Sequence, residues 1–180
     1  MGLNNLGLMV LAGVLSVAPV ALNAAAPAAS RVSSHLEKQV WHELVTLPFY
    51  DVFDNLAFRV DGDKVTLLGQ VTRPTLKTSA ERVVKRIEGV SAVENRIEVL
   101  PVSTFDNRIR LGVLRAVYGQ GALFRYNLPP YAPIRIIVKN GDVTLEGVVA
   151  SEMDRNIAKL AANGVFGVFS VTNNLRVVKG

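Results

Sequence analysis

The stretch Val65-Thr66-Leu67-Leu68-Gly69-Gln70-Val71 sets the fold of this 180-residue chain, because the chain contains it twice. Val143-Thr144-Leu145-Glu146-Gly147-Val148-Val149 repeats it at an offset of 78 residues, 143 minus 65. The same offset carries a further set of positions: Gly89-Val90 onto Gly167-Val168, and Val93, Asn95 and Ile97 onto Val171, Asn173 and Leu175. A constant offset leaves no room for an insertion between the matched positions. The chain is therefore predicted to hold two homologous units in tandem.

Each copy of the stretch is predicted to form the returning strand of a β-hairpin. In the first unit, Val65, Leu67 and Val71 alternate with residues of the opposite face, which indicates a strand with one buried side. In the second unit, Asn140-Gly141 is a strong hairpin-turn signal. Gly69 stands where the alternation would place a core side chain, so we expect the second helix to cross close to the strand there.

Helical periodicity surrounds the first hairpin. Apolar residues at helical spacing over 36–47 predict a helix that follows a polar linker, 31–34, with Ser33 or Ser34 as its cap. Pro74 opens a second helix, which Gly89 ends, and alternation over 93–99 predicts a third strand. The predicted class is α+β: two tandem α-β-β-α-β sandwiches, each a three-stranded mixed sheet with two helices on one face.

The second unit repeats this order with a longer loop over 119–133 between its first helix and its hairpin. Thr104 or Asp106 is the expected cap of that helix. The linker 101–104 is short, so the two units are expected to pack on each other. The predicted boundaries are a signal peptide over 1–28, a linker over 29–34, units over 35–100 and 106–178, and a linker over 101–105.

Residues 1–30 contain no charged side chain and read as a secretory signal peptide, an apolar run followed by small residues. Ala26-Pro27-Ala28 and Leu22-Asn23-Ala24 are both suitable cleavage motifs. A retained membrane anchor is the alternative, although the run is interrupted by Pro19 and is short for a membrane span, which takes about 20 apolar residues. The mature protein is expected in the periplasm, either free or bound peripherally to a membrane.

The charges are divided unevenly between the units. Residues 36–100 hold nine Lys and Arg against ten Asp and Glu, whereas residues 106–180 hold ten against five. The second unit therefore carries the net positive charge, which favours an anionic partner. The chain has no Cys, which excludes a disulfide, a thiolate metal site and a lipidated N-terminal Cys.

The two copies resemble the BON domain (bacterial OsmY and nodulation). In the first unit the resemblance rests on 60–71, Gly89-Val90 and 93–97, and in the second on 138–149, Gly167-Val168 and 171–175. It implies an exported, non-catalytic envelope protein of the predicted fold, connected with phospholipid membranes, osmotic stress and envelope integrity, and in some cases with chaperone-like activity. No list of binding residues follows from it, because the shared positions are structural.

The best candidate site lies in the basic second unit, where cationic and aromatic side chains alternate as suits a lipid headgroup layer. The predicted lipid-binding residues are Arg108, Arg110, Arg115, Phe124, Arg125, Tyr126, Leu128 and Tyr131. A second interpretation stays open: Phe124, Tyr126 and Tyr131 fill the interface between the units and the arginines are solvated. The matching loop of the first unit, Phe49 to Phe53, is expected to be a packing or partner surface.

No residue pattern predicts catalysis, a metal or a cofactor. His35 and His42 lie seven residues apart on one helix, roughly 10.5 Å by helical rise, which is too far for two ligands of one ion. The main hypothesis is reversible binding to an anionic phospholipid surface. The alternative is a chaperone-like or scaffold module for envelope proteins, and nucleic acid is not an expected partner.

Overall fold

The computed structural model describes residues 25–127 and 132–178. Most of the predicted signal peptide therefore lies outside the described residues. The first unit contains α1 (Ala25–Val45), β1 (Asn55–Asp61), β2 (Lys64–Val71), α2 (Pro74–Val84), β3 (Ala92–Asn95) and β4 (Glu98–Val99). The second contains α3 (Thr104–Tyr118), a 3-10 helix (Gly121–Tyr126), β5 (Ile134–Lys139), β6 (Asp142–Val149), α4 (Glu152–Asn163) and β7 (Ser170–Val177).

Both sheets are mixed, which confirms the α+β class. β2 pairs antiparallel with β1 and parallel with β3 and β4, which are the two parts of one interrupted strand. β6 pairs antiparallel with β5 and parallel with β7. The registers agree with the offset of 78: Val65 lies opposite Val93, and Val143 lies opposite Val171. The repeat seen in the sequence is thus a repeat of strand pairing.

Each unit has its own hydrophobic core. In the first, α1 and α2 bury their apolar stripes against β2, whose buried residues are Val65, Leu67 and Val71. In the second, α3 and α4 do the same against β6, where the corresponding residues are Val143, Leu145 and Val149. Burying a side chain of this kind contributes about 1.5–3 kcal/mol. The residues of the repeated stretch therefore form the sheet side of each core, against which the helices pack.

The glycine inside the repeated stretch has a different neighbour from the one expected. Gly69 and Gly147 have φ angles of +106° and +123°, and an added Cβ would collide with a backbone oxygen, that of Asn55 or Pro133. The close approach comes from the edge strand of the hairpin and not from the second helix, so that expectation was wrong. The glycines permit a local kink in β2 and β6 where a side chain would push the hairpin apart.

The helix starts also differ in part from expectation. α1 already includes Ala25, the first described residue, so residues 29–34 are helical and do not form the predicted linker capped at Ser33 or Ser34. α3 begins at Thr104, and its cap is Ser103, whose Oγ accepts a hydrogen bond from the amide of Asp106. Neither Thr104 nor Asp106 is the cap, and the linker is correspondingly two residues shorter. The carboxylate of Asp106 instead accepts from the amides of Asn140 and Gly141 in the hairpin turn.

The repeated asparagine joins strand and helix in both units. The Nδ2 atoms of Asn95 and Asn173 donate to the carbonyl oxygens of Lys77 and Arg155, at 3.0 and 2.8 Å. The Oδ1 atoms accept from the amides two residues further on, in both units at 3.2 Å. The asparagine thus holds the last strand to the second helix, which accounts for its place in the repeat.

The units contact each other, as the short linker predicts. The loop before β1 reaches the second unit, where Val52 and Phe53 pack against the second core. The Val52 carbonyl accepts a hydrogen bond from the amide of Ile136 at 2.9 Å. Arg135 donates to the Asp51 carbonyl at 2.7 Å, and its guanidinium lies over the Tyr50 ring, 4.5 Å from the centroid. The loop is therefore a packing surface, one of the two roles expected for it.

Candidate functional site

Arg110 does not reach the surface at which it was expected to contact lipid. Its exposed fraction is 5%, and its Nη2 donates to the carbonyl oxygen of Val138 at 2.8 Å. Burial lowers the pKa of its guanidinium, and the nearby carboxylate of Asp106 opposes this effect. The assignment of Arg110 to a lipid-binding surface is therefore corrected.

Tyr126 is also a core residue. Its hydroxyl donates to Oδ2 of Asp154 at 2.9 Å and accepts from the amide of Ala150 at 2.7 Å. Ala150 is the repeat partner of Thr72, whose amide donates to the buried carboxylate of Asp54 at 2.7 Å. Tyr126 thus supplies in the second unit the acceptor that Asp54 supplies in the first. It belongs to the hydrophobic core of the second unit.

Arg125 is exposed but paired. Its Nη2 forms an ion pair with Oδ2 of Asp154, and its guanidinium lies over the Tyr126 ring, 5.0 Å from the centroid. Burial alone would raise the pKa of Asp154, but hydrogen bonds from Ser151, Tyr126 and Arg125 bring that pKa below its ordinary value. Arg125 therefore stabilises the start of α4 first, and only the remaining part of its guanidinium faces solvent.

Besides Arg125, the predicted site residues that the structure leaves exposed are Arg108, Arg115 and Phe124. Arg108 and Arg115 lie seven residues apart, two turns along one side of α3, and no ion pair joins either to another described residue. Phe124 is 68% exposed on the 3-10 helix. Leu128 and Tyr131 lie outside the described residues.

The structure adds exposed apolar side chains on α4 and just after it. Met153 and Leu160, two turns apart on α4, are 71% and 75% exposed, and Phe166 is 99% exposed. We call the surface formed by Arg108, Arg115, Met153, Leu160 and Phe166 the outer helical face. Between α3, the 3-10 helix and α4 it contains a groove of about 420 Å³, with an apolar lining that includes Ala116, Ala122, Ile157 and Leu160.

The first unit is polar at the same positions. The offset of 78 places Met153, Leu160 and Phe166 on Thr75, Arg82 and Glu88, all exposed. The residues around the corresponding groove between α1 and α2 include His35, Lys38, His42, Glu43, Arg86 and Glu88. Comparing exposed positions between the copies would have revealed the apolar residues, which a search for basic and aromatic clusters missed.

Two more aromatic rings lie at one end of the outer helical face. Phe105 lies in the first turn of α3, three residues before Arg108. Its ring centroid is 5.9 Å from that of Phe169. Phe105 packs over the backbone of Gly167, the residue after Phe166. The repeat partner of Phe169 is the exposed polar residue Ser91. The second unit therefore presents rings where the first presents polar side chains.

Within the described residues, no group of three or more His, Cys, Asp and Glu side chains could hold a metal ion. In the same part of the chain, no helix is long and apolar enough to cross a membrane. The exposed side chains of the outer helical face are cationic and apolar.

A family model described as BON domain matches residues 25–101 and 120–179. No curated protein matches the chain. Two solved structures of CdsD, a structural protein of the type III secretion system of Chlamydia trachomatis, are similar at 11% and 12% identity, with TM-scores of 0.28 and 0.29. The matches cover 80% and 81% of this chain, and 98% and 93% of those chains. Likenesses this weak have no bearing on function.

Proposed function

The chain belongs to the BON domain family, and on that premise we propose that it is a non-enzymatic, exported envelope protein that docks reversibly on anionic phospholipid. Its units are two α-β-β-α-β sandwiches of that family, and its signal peptide is removed near residue 28. It works in the periplasm, where docking serves envelope integrity or the response to osmotic stress. The second unit makes the membrane contact.

The observation that carries this proposal is the contrast between the two units. At repeat-related exposed positions the second unit has Met153, Leu160 and Phe166, where the first has polar or charged side chains. Exposed apolar side chains grouped on one surface mark a site of contact with a protein or a membrane. Arg108 and Arg115 beside them select an anionic surface, because each basic residue near such a surface contributes about 1 kcal/mol.

The arginines and the exposed apolar side chains together give weak binding, consistent with reversible docking. Two arginines supply about 2 kcal/mol. Transfer of apolar surface out of water adds about 25 cal/mol per Å². Of the eight residues predicted from sequence, the proposal keeps Arg108, Arg115 and Phe124 as contacts and gives Arg125 a secondary part, since it is paired with Asp154.

Co-sedimentation with lipid vesicles tests the proposal. The purified protein is expected to bind vesicles that contain phosphatidylglycerol, to release them at high salt, and not to bind neutral phosphatidylcholine vesicles. Arg108→Glu/Arg115→Glu is expected to weaken binding by at least roughly thirtyfold, the equivalent of about 2 kcal/mol.

The matched control is Arg82→Glu/Arg86→Glu, which changes net charge equally at exposed positions on α2 and just after it in the first unit. It should retain most of the binding, because the docking surface is untouched. Equal loss in both double variants would show that only net charge matters and would overturn the assignment to the second unit. Salt-insensitive binding to neutral vesicles would overturn the proposal itself.

The apolar groove of the outer helical face favours a second candidate, a chaperone-like or scaffold role toward envelope proteins. A groove lined by Ala116, Ile157 and Leu160 suits apolar side chains of an unfolded or partner chain. This candidate predicts that the protein suppresses aggregation of a denatured client in a light-scattering assay, at low and at high salt. Leu160→Ser should abolish the suppression, and Arg108→Glu/Arg115→Glu should leave it unchanged.

A further inference from the structure

A polar cavity of about 420 Å³ lies where the two units and their linker meet. Its walls come from the turn between β2 and α2, from the linker, and from α3, together with the loop before β1. The polar residues that line it include Thr72, Arg73, Ser103, Thr104, Asn107 and Arg110. Ser103, Asn107 and Arg110 are spaced i, i+4 and i+7, so they occupy one side of α3 and its cap.

Arg110 is the buried cation of this cavity, and its hydrogen bonding is incomplete. Nη2 donates to the Val138 carbonyl, but Nε has no partner among the described residues. A guanidinium has five N–H donors, and leaving buried donors unsatisfied is costly. With 5% of the residue exposed, solvent can do little to compensate.

The neighbouring carboxylates are engaged elsewhere. Asp106 accepts from the Asn140 and Gly141 amides, and Asp54 accepts from the amide and hydroxyl of Thr72. Asp51, on the cavity wall, accepts from the amide of Phe53. Among the described residues, none of the three forms an ion pair with Arg110. They moderate the positive potential around its guanidinium but make no direct contact with it.

The N-terminus of α3 borders the same cavity, and α2 begins beside it at Pro74, which has no N–H to donate. α2, 11 residues long, follows Arg73, which provides no side-chain cap hydrogen bond, and α3, 15 residues long, follows Ser103. The start of a helix carries partial positive charge and free backbone N–H groups, and it favours bound anions. Arg73 adds a second guanidinium, stacked over the Phe49 ring at 5.0 Å.

We propose that this cavity binds an oxyanion of the phosphate type, held by the guanidinium groups of Arg110 and Arg73 and by the first turn of α3. Guanidinium groups present N–H donors in a planar fork that matches phosphate oxygens. The hydroxyl groups of Ser103 and Thr104 supply further donors. The site is separate from the outer helical face, so it stands independently of the proposed membrane docking. Bound there, the anion joins the first unit, the linker and the second unit.

Thermal unfolding in the presence of phosphate tests this site. Inorganic phosphate at millimolar concentration should raise the Tm of the purified protein above its value in sodium chloride of equal ionic strength, because a ligand of the folded state stabilises it. The second ligand to be tested in the same way is dihexanoyl phosphatidylglycerol, below its critical micelle concentration. A rise with phosphate identifies a free anion as ligand, and a rise with the soluble lipid alone identifies a phosphodiester headgroup.

Arg110→Lys keeps the charge but removes the forked donors, and it should abolish the rise. Arg115→Lys is the matched control on the exposed side of α3 and should keep it. If Arg110→Lys does not fold, Arg73→Gln at the more exposed wall tests the site instead. It should weaken phosphate binding by about tenfold, as measured by ³¹P NMR line broadening of phosphate. The proposal is overturned if neither ligand raises Tm beyond chloride, or if Arg110→Lys shows the full rise.

Discussion

Gly147 shows how a single residue sets the geometry of a hairpin. Its φ of +123° belongs to a region that side chains rarely adopt, and a Cβ would meet the Pro133 carbonyl oxygen. Gly147→Ala is therefore expected to destabilise the protein by on the order of 3 kcal/mol, measured by urea unfolding. Gly121→Ala is the control, since a Cβ at Gly121 meets nothing within 4 Å. A loss at Gly147 no larger than at Gly121 would contradict this explanation.

Tyr118 gives the protein a predicted sensitivity to alkaline pH. Burial raises the pKa of its hydroxyl to about 12, and the protonated hydroxyl donates a hydrogen bond to the Ile134 carbonyl at 2.7 Å. Its stabilising contribution is complete below the unfolded pKa of about 10 and is lost as pH rises from 10 to 12. The loss should approach about 3 kcal/mol, at about 1.4 kcal/mol per pKa unit.

Urea unfolding between pH 9 and pH 12 measures this effect. Tyr118→Phe lacks the titrating group, so it should be less stable than the wild type at pH 9, by about 1 kcal/mol for the lost hydrogen bond. The difference should shrink and then reverse as pH rises. Parallel pH profiles for the two proteins would show that Tyr118 does not titrate as stated.

Arg110 shows where prediction from the sequence stops at this scale. Its position beside Val113 and Val117 on α3 fits the buried stripe, whereas its charge suggested the surface. The structure resolves the conflict through a carbonyl of β5, 28 residues further on, which accepts from its guanidinium. Local periodicity carries no information about a partner so distant in sequence. The burial of Tyr126 against Asp154 has the same cause.

At the scale of elements, helix and strand assignments were predictable because each depends on spacing within a few residues. The buried positions Leu36, Val40 and Leu44 follow the helical period, and the β6 and β7 registers follow the repeat. The helix starts were less predictable. The cap at Ser103 depends on small differences between neighbouring polar residues, and α1 is already helical ahead of the predicted cap at Ser33 or Ser34. The residues of the outer helical face are those on the side of each helix that the sheet does not cover. Comparison of the two copies would have indicated which residues these are.

The loop before β1 is the element that joins the units. Phe53→Ala removes a ring from the surface of the second core and is expected to cost about 2 kcal/mol, because Phe53 is only partly buried. Urea unfolding of the variant should show this loss. Phe124→Ala, at an exposed position, should change stability by less than about 0.5 kcal/mol. Equal effects at the two positions would argue against a joining role for the loop.

At the scale of the whole molecule, the two units have one fold and different surfaces. The strand pairing, the asparagine contacts and the kinked glycines recur in both. Net charge and exposed apolar residues are concentrated in the second. Such a division is expected when one copy keeps a structural role and the other gains a contact surface. We therefore propose that the second unit, and not the first, meets the membrane.

The most direct measurement places one tryptophan at each of two repeat-related positions. In a Trp41→Phe background, which removes the single native tryptophan, Phe166→Trp and Glu88→Trp report on the second and first units respectively. Brominated anionic lipids in the vesicles quench a tryptophan that enters the bilayer. If the second unit meets the membrane, strong quenching and a blue shift are expected at position 166, with neither at position 88. Quenching at 88 alone, or equal quenching at both, would contradict it.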